Sequence, residues 1–166
     1  NSDKKYVVIA PGGNWIPKIW PAEKFNQLLK LLSKQYSYLN FILVGSIAEK
    51  EKYFNDVIAD INNNNIIDLM GETLTQTFAY IKKSNLFIGN DSGLMHLSVA
   101  SKISTIGLFG PTNDKIYAPY GNNCYTLRTK ETYHHFTKII IKKDLSYMKS
   151  IEVKDVMDLI ENKRLL

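Results

Sequence analysis

The sequence predicts an α/β fold: a three-layer, Rossmann-like arrangement in which helices cover both faces of a parallel sheet of about six strands. Short apolar runs alternate along the chain with longer amphipathic stretches, as repeated βαβ units require. The apolar runs are continuous, which is typical of strands buried on both faces. Glycine or proline lies at the end of most of these runs and breaks the strand where a loop begins.

The strands are predicted directly from the apolar runs. In chain order these runs lie at 6–10, 40–44, 66–69, 86–89, 105–109 and 124–127. Ligands of such sheets bind beyond the carboxyl ends of the strands. We therefore expect functional residues in the loops that follow the strands, at 11–18, 45–51, 70–73, 90–96 and 110–115.

The helices are predicted from the spacing of apolar residues on one face. Pro21 suits the first turn of a helix over 21–36. The same spacing predicts helices at 47–61, 74–83 and 93–101, and a last helix after Ser150, its expected N-cap. Residues 62–65 are predicted to form a polar turn. The stretch 128–149 is predicted to be mostly loop, with 136–141 as a candidate strand.

Composition restricts the class of protein. Of 166 residues, 45% are hydrophobic, enough for one domain with a core, and no apolar run approaches the roughly 18 residues of a membrane span. The sequence has one cysteine, Cys124, which fits the cytoplasm and argues against a structural zinc site. The first residue is not Met. We expect residues 1–5 to be a linker or cut end and 6–166 to be the domain; the alternative is a processed or tagged short protein.

The net charge of +5 is unevenly distributed. Residues 128–149 hold six Lys or Arg against Glu131 and Asp144, a local charge of +4. We favour a solvated, mobile loop, because basic runs are commonly exposed surface. The alternative is a face for an anionic lipid, an anionic sugar or nucleic acid.

The strongest candidate loop is the run from Asn90 to His96, N-D-S-G-L-M-H. It follows a buried strand and opens a helix, so the backbone N–H groups near Ser92 and Gly93 can hold a phosphate. Asp91 offers an acceptor for sugar hydroxyls, and His96 lies one helical turn after Ser92. The structural alternatives are an ordinary cap formed by Asp91 or Ser92 and a packed histidine.

The loop after the first strand contains Gly12, Gly13 and Lys18. The glycines allow an anion to approach the backbone, and the lysine can reach a phosphate as a point charge. Neither the G-x-x-x-x-G-K-[ST] loop nor the G-x-G-x-x-G fingerprint is present, which argues against an ATPase and a simple NAD enzyme. Lys18 as a plain surface residue is the alternative.

Two further loops follow strands. Glu49 can accept hydrogen bonds from a ribose diol or can complement the dipole of its own helix, and the sequence favours neither. The turn at 110–112, Gly-Pro-Thr, is rigid, and a structural role is favoured for it.

Taken together, the loops resemble one family. P-G-G…K-I-W-P, V-G-S-I-A-E, M-G-E-T-L, N-D-S-G-L-M-H and L-F-G-P-T resemble, in order and spacing, the C-terminal domain of glycosyltransferase family nine, the ADP-heptose:lipopolysaccharide heptosyltransferases. The resemblance covers residues 6–161. It implies one half of a GT-B architecture, with two Rossmann-like domains and the active site between them. This chain is similar to the nucleotide-sugar-binding half, whereas the N-terminal domain with the acceptor and the catalytic Asp is absent.

The resemblance also implies residue roles. Contacts to the diphosphate are implied for Gly13, Asn14 and Lys18, and contacts to the phosphates also for Ser92, Gly93 and His96. Glu49 is implied to bind the ribose, and Met70, Gly71 and Glu72 to line the adenine. Asp91 is implied to hold the donor-sugar hydroxyls, with Leu94 as pocket wall. No catalytic residue is implied within this chain.

The implied reaction is an inverting transfer of a heptose-like sugar from an ADP-sugar to the lipopolysaccharide core, without a metal ion or other cofactor. The implied partners are the nucleotide sugar and, through the missing domain, a lipid-linked saccharide acceptor, with no nucleic acid. A cytoplasmic location is implied, and it leaves open peripheral contact with the inner membrane.

Two residue patterns depart from the family. The stretch 128–149 lacks the cysteines that family members often carry there, and Asn14 stands where a hydroxyl residue is frequent, which leaves the donor sugar open. Two other functions therefore remain as alternatives: a nucleotide-sugar epimerase or hydrolase of the GT-B type, and a stand-alone, non-catalytic nucleotide-binding domain from a split gene.

Overall fold

A computed structural model describes residues 4–61 and 63–166. Its centre is a six-stranded sheet with the strand order β3-β2-β1-β4-β5-β6, in which every pair is parallel. The strands are β1 Lys5–Ala10, β2 Leu39–Gly45, β3 Ile66–Met70, β4 Leu86–Asn90, β5 Ser104–Phe109 and β6 Cys124–Arg128. This is the order of a dinucleotide-binding Rossmann sheet, so the predicted fold class is confirmed.

Helices cover both faces of the sheet. They are α1 Ala22–Gln35, α2 Ile47–Ile58, α3 Leu74–Lys82, α4 Gly93–Ala100, α5 Asp114–Tyr117, α6 Tyr133–Phe136 and α7 Val153–Lys163. One apolar core joins one face of the strands to α1, α2 and α7, and a second joins the other face to α3 and α4. Successive strand residues such as Val7 and Val8 are fully buried in opposite cores, which explains the continuous apolar runs.

The position of β1 decides where the site forms. β1 pairs with β2 on one side and with β4 on the other, with Ala10 opposite Gly89 at its carboxyl end. The strand order reverses between β1 and β4, and open α/β sheets bind ligands at such a switch point. The loops that follow β1 and β4 are therefore direct neighbours.

Three sequence predictions are wrong: the candidate strand at 136–141, the N-cap of the last helix and the end of α2. The candidate strand at 136–141 does not form; Thr132 accepts a hydrogen bond from the backbone of His135 and starts the short helix α6. Ser150 does not cap α7. Its hydroxyl bonds Lys130 and Glu131 instead, and α7 has Glu152 as its N-cap.

The third difference is the end of α2. It ends at Ile58, because Asp60 adopts a left-handed φ of 57°. Ile61 still packs against the core, which is why its spacing resembled that of the helix.

Two predictions fall partly outside the described residues. The expected linker 1–5 includes residues 1–3, and the polar turn 62–65 includes residue 62; within the described part, β1 begins at Lys5 and Asn63–Asn65 form a 3-10 turn. Among the residues that the structure describes, no helix has the length and apolar character that a membrane crossing requires.

Candidate functional site

The main functional candidate is a cavity of about 480 Å³ at the carboxyl ends of β3, β2, β1 and β4. This volume is within the usual range for small-molecule sites. Its walls come from four loops and from the starts of α2, α3 and α4. The residues that line it include Gly12, Gly13, Asn14, Lys18, Glu49, Glu72, Leu74, Thr77, Ser92, Gly93 and Leu94.

Lys18 brings a positive charge into the cavity. It ends a short 3-10 turn, Ile16–Lys18, in the loop after β1. Its Nζ lies 3.6 Å from Oδ2 of Asp91, and the two side chains are 14% and 9% exposed. The ion pair joins the loop after β1 to the loop after β4 and holds the ammonium group beside the start of α4.

The start of α4 supplies the second anion-binding element. Ser92 is the N-cap, one of the two positions expected for it, but its side chain makes no cap hydrogen bond. The Ser92 Oγ atom is buried without a hydrogen-bond partner among the described residues. Gly93 is exposed, and a Cβ added there would meet nothing within 4 Å. The first N–H groups of a helix lack intrahelical partners and attract anions.

Asn90 fastens the two loops together, and sequence reasoning missed it. This residue ends β4 and is fully buried. Its Oδ1 accepts from the backbone N–H of Trp20 at 2.9 Å, and its Nδ2 donates to the carbonyls of Pro11 and Gly12 at 3.1 and 2.9 Å. A polar residue that ends an otherwise apolar strand is the sequence signal that could have identified it.

Trp20 anchors the far end of the same loop. Its ring is fully buried, packs edge-on against Phe25 at 4.9 Å, and donates from Nε1 to the carbonyl of Ile151 at 2.9 Å. The loop that carries Lys18 is therefore held at both ends, by Asn90 and by Trp20, which positions its lysine before any ligand arrives.

Glu49 serves as part of a capping box for α2. Its Oε2 accepts from the backbone N–H of Ser46 at 2.6 Å, and its own N–H donates to the Ser46 hydroxyl at 3.2 Å. Glu49 therefore lies in the first turn of α2, where it complements the helix dipole as the structural alternative expected. The carboxylate also packs on Gly12, where an added Cβ would lie 2.5 Å from Oε1, so a side chain at position 12 would displace the Glu49 carboxylate. The ribose role of Glu49 stays a prediction.

The loop after β3 forms the far wall. Met70 is buried in the core and Gly71 adopts a φ of +93°, a conformation that favours glycine. Of the three residues predicted here, Glu72 lines the cavity. Leu74 and Thr77 of α3 also line it, and sequence reasoning missed both, since they follow the loop on a helix.

The structure thus gathers eight of the twelve predicted residues around one cavity: Gly13, Asn14, Lys18, Glu49, Glu72, Ser92, Gly93 and Leu94. Asp91 is buried and reaches Lys18 from behind the turn. Met70 is buried in the core, Gly71 is exposed in the loop after β3, and His96 is exposed on α4. Within the described residues, these last four are not part of the cavity lining.

The predicted rigid turn at 110–112 has the structural role that was favoured. The carbonyl of Gly110 accepts from Arg128 at 2.6 Å, and a Cβ on Gly110 would lie 2.4 Å from the sulfur of Met148. Arg128 also pairs with Asp114. One of the six basic residues in 128–149 is therefore used to hold a turn.

The cavity has two chemically different ends, which follow from the strand order. Glu49 and Glu72 follow β2 and β3 on one side, whereas Lys18 and the start of α4 follow β1 and β4 on the other. One end offers carboxylate acceptors suited to hydroxyl and amine donors. The other offers an ammonium group and helix N–H groups suited to an anion.

The sequence comparisons with known proteins agree on one family. The sequence model of glycosyltransferase family 9 (heptosyltransferase) matches residues 1–144. Lipopolysaccharide heptosyltransferase 3 of Escherichia coli (strain K12) is 28% identical over 153 residues, covering 92% of this chain and 44% of that protein. Lipooligosaccharide heptosyltransferase 2 of Campylobacter jejuni is 31% identical over 123 residues, covering 72% and 38%.

A solved structure shows the same fold. The E. coli heptosyltransferase WaaC with ADP superposes with a TM-score of 0.79 at 20% identity, over 98% of this chain and 45% of that chain. The present chain therefore spans less than half the length of the relatives it matches.

Proposed function

Because the chain belongs to glycosyltransferase family 9, we propose that it is the donor-binding half of an enzyme that transfers a heptose-like sugar from an ADP-sugar to the lipopolysaccharide core. The observation that carries the proposal is the meeting of Lys18 with the Ser92–Gly93 turn in one cavity at the switch point of the sheet. The curated relatives are named as heptosyltransferases, and a structural neighbour was solved with ADP.

We assign the two ends of the cavity to the two ends of the nucleotide. The diphosphate binds Lys18, the hydroxyl of Ser92 and the first N–H groups of α4, with Gly13 and Asn14 beside it. The ribose hydroxyls donate to Glu49. The adenine lies near Glu72, against Leu74 and Thr77.

In the transfer itself, this half stabilises the leaving group. The acceptor hydroxyl attacks the anomeric carbon, the bond to the β-phosphate breaks, and the negative charge that develops on the nucleoside diphosphate is met by Lys18 and the start of α4. Asp91 orients Lys18 and accepts from donor-sugar hydroxyls. The base that removes the acceptor proton belongs to the half that these residues do not include, and the proposed reaction uses no metal ion.

The proposed setting follows from the proposed acceptor. A lipid-linked saccharide is bound through the other half of the enzyme, so we propose a cytoplasmic location with peripheral contact to the inner membrane. Nucleic acid is not a proposed partner.

Calorimetric titration of the chain with nucleotides tests the proposal. ADP is expected to bind with a Kd below about 1 mM, and AMP at least about tenfold more weakly, because AMP lacks the phosphate that Lys18 meets. UDP and GDP test the choice of base. Failure of every nucleoside diphosphate to bind would contradict the proposal.

A matched pair of variants assigns the phosphate contact. Lys18→Met is expected to weaken ADP binding by about tenfold to a hundredfold, the usual worth of a hydrogen bond to a charged group. Lys24→Met is the control, because Lys24 is also an ion-paired lysine, with a side chain 18% exposed, but it bonds to the carbonyls of Lys149 and Ile151, away from the cavity. Equal loss in both variants would count against a specific role for Lys18.

A further inference from the structure

The segment between α6 and α7 exposes aliphatic side chains. We define residues 138–145 as the basic loop. Ile140 is 92% exposed and Leu145 is 42% exposed, and Ile139 beside them is 38% exposed. Single exposed apolar residues are common on protein surfaces, but three within one short loop form a patch that requires an explanation.

The basic loop is held in place at both of its ends. Phe136, just before it, is buried and packs edge-on against Tyr147 at 5.9 Å. Tyr147, just after it, donates from its backbone to the carbonyl of Pro17 at 3.1 Å. The Tyr147 hydroxyl accepts from the backbone N–H of Lys142 at 3.2 Å. Ile140 is therefore exposed in a loop whose position is fixed by these contacts.

The same loop is positively charged. Lys138, Lys142 and Lys143 are exposed and are accompanied by one acid, Asp144. Within residues 4–61 and 63–166, none of these three lysines takes part in an ion pair. Their charges are therefore available to an external anion.

We infer that the basic loop docks onto the surface of a bilayer that contains anionic lipid. Aliphatic residues flanked by lysines match such a surface: the isoleucines enter the boundary between headgroups and acyl chains, and the lysines remain among anionic headgroups. Tyr147, just after the basic loop, donates to the carbonyl of Pro17 and so places the loop next to the 3-10 turn that ends at Lys18. A docked chain would thus hold its cavity close to the membrane.

Two other kinds of partner fit the loop less well. Single-stranded nucleic acid is bound by aromatic side chains on which bases stack, and residues 138–145 contain none. The centres of protein interfaces are depleted of lysine, whereas three lysines surround Ile140. The combination of lysine and isoleucine favours lipid over both.

Co-sedimentation of the 166-residue chain with vesicles tests the inference, without any nucleotide present. The chain is expected to bind vesicles made of phosphatidylglycerol and phosphatidylcholine. Binding is expected to weaken when salt is added and when the vesicles contain phosphatidylcholine alone. Each lysine near an anionic surface contributes about fivefold to partitioning. Lys142→Gln with Lys143→Gln is therefore expected to lower binding about 25-fold, and Ile140→Ser by about tenfold.

Matched controls lie elsewhere on the fold. Lys82→Gln with Lys83→Gln removes two adjacent exposed lysines at the end of α3, just before the amino end of β4. Leu31→Ser alters an exposed apolar residue of α1 that is 45% exposed. Both control variants are expected to bind vesicles with nearly the same affinity as the unaltered chain.

Three results would overturn the inference: no binding to phosphatidylglycerol vesicles, equal losses in the control variants, or unchanged binding by Ile140→Ser. If Ile140→Ser abolishes self-association in light scattering while vesicle binding is absent, the patch is a protein interface instead. The inference rests on the membrane contact in the proposed function, but because nucleotide binding plays no part in the assay, failure here leaves the proposed binding of the donor nucleotide untouched.

Discussion

At the scale of single residues, Gly12 and Gly93 are both glycines of the cavity, but they are required for different reasons. A Cβ on Gly12 would strike the Glu49 carboxylate of the folded chain itself, whereas a Cβ on Gly93 would meet nothing within 4 Å. Gly12 is therefore explained by packing alone. Packing does not explain Gly93, whereas the proposed approach of a phosphate to the backbone would.

This difference gives the first prediction. Gly93→Ala is expected to leave the melting temperature unchanged or slightly higher, because alanine is better tolerated than glycine in a helix. The same methyl group stands where the diphosphate meets α4, so ADP affinity is expected to fall by about tenfold or more. Differential scanning fluorimetry and calorimetry measure the two effects. Undiminished ADP affinity in this variant would argue against a phosphate at the start of α4.

A second prediction concerns Asn90. Asn90→Ala leaves the backbone groups of Trp20, Pro11 and Gly12 without their side-chain partner, at a cost of about 1–3 kcal/mol for each group left unsatisfied. The loop that carries Lys18 then loses its attachment to β4. Both the free energy of unfolding and the affinity for ADP are expected to fall.

The control for Asn90 is another buried asparagine. Asn26 is 8% exposed and donates to the carbonyls of Val57 and Ala59, where α1 meets the end of α2. Asn26→Ala is expected to destabilise the fold without weakening ADP binding, measured at a temperature where both variants are folded. If the two variants lost affinity equally, Asn90 would have only a general structural role.

At the scale of elements, the sequence patterns located the strands and loops that are defined by residues adjacent in the sequence. Strands β1 to β5 are mostly buried or end beside a glycine or proline. The loop after β4 was recognised from residues next to one another. The adjacency of β1 and β4 could not be derived in the same way, because strand pairing depends on contacts distant in sequence. Leu74 and Thr77 were missed for the same reason, since only the packing of α3 turns them toward the cavity.

In the connection between β6 and α7, the local sequence pattern predicted the wrong structure. Residues 136–141 have a strand-like composition, but they join neither edge of the described sheet, and the loop is instead held by the hydrogen bonds of Tyr147. Glu131 and Ser150 close this connection, with the Ser150 hydroxyl donating to Oε2 of Glu131 at 2.9 Å. The backbone N–H of Glu131 itself and the Ser150 hydroxyl lower the pKa of the Glu131 carboxyl.

This shift predicts a pH dependence of stability. Because the pKa of Glu131 is lower in the folded than in the unfolded chain, its contribution is present above the unfolded value, about 4.3, and is lost as pH falls through the folded value. Glu131→Gln is expected to be less stable than the unaltered chain at pH 7 and equally stable once pH falls below the folded pKa. Urea unfolding across this range measures the difference. The exposed Glu51→Gln is the control, and a difference that did not shrink on acidification would exclude the proposed cause.

At the scale of the whole molecule, the strand order sorts the charges of the cavity. The acids stand after β2 and β3, and Lys18 and the start of α4 stand after β1 and β4. A nucleoside diphosphate has the matching order, with hydroxyls and amine at one end and phosphates at the other. Since the chain spans less than half of its relatives' length, it is expected to bind the donor nucleotide while transfer requires the other half.

A crystal structure of the chain in complex with ADP tests this arrangement most directly. The diphosphate is expected within hydrogen-bonding distance of Lys18 Nζ, of the Ser92 hydroxyl and of the backbone N–H groups that open α4, with the ribose toward Glu49. A diphosphate bound away from Lys18 and the Ser92–Gly93 turn, or a nucleotide lying in the reverse direction, would contradict the account.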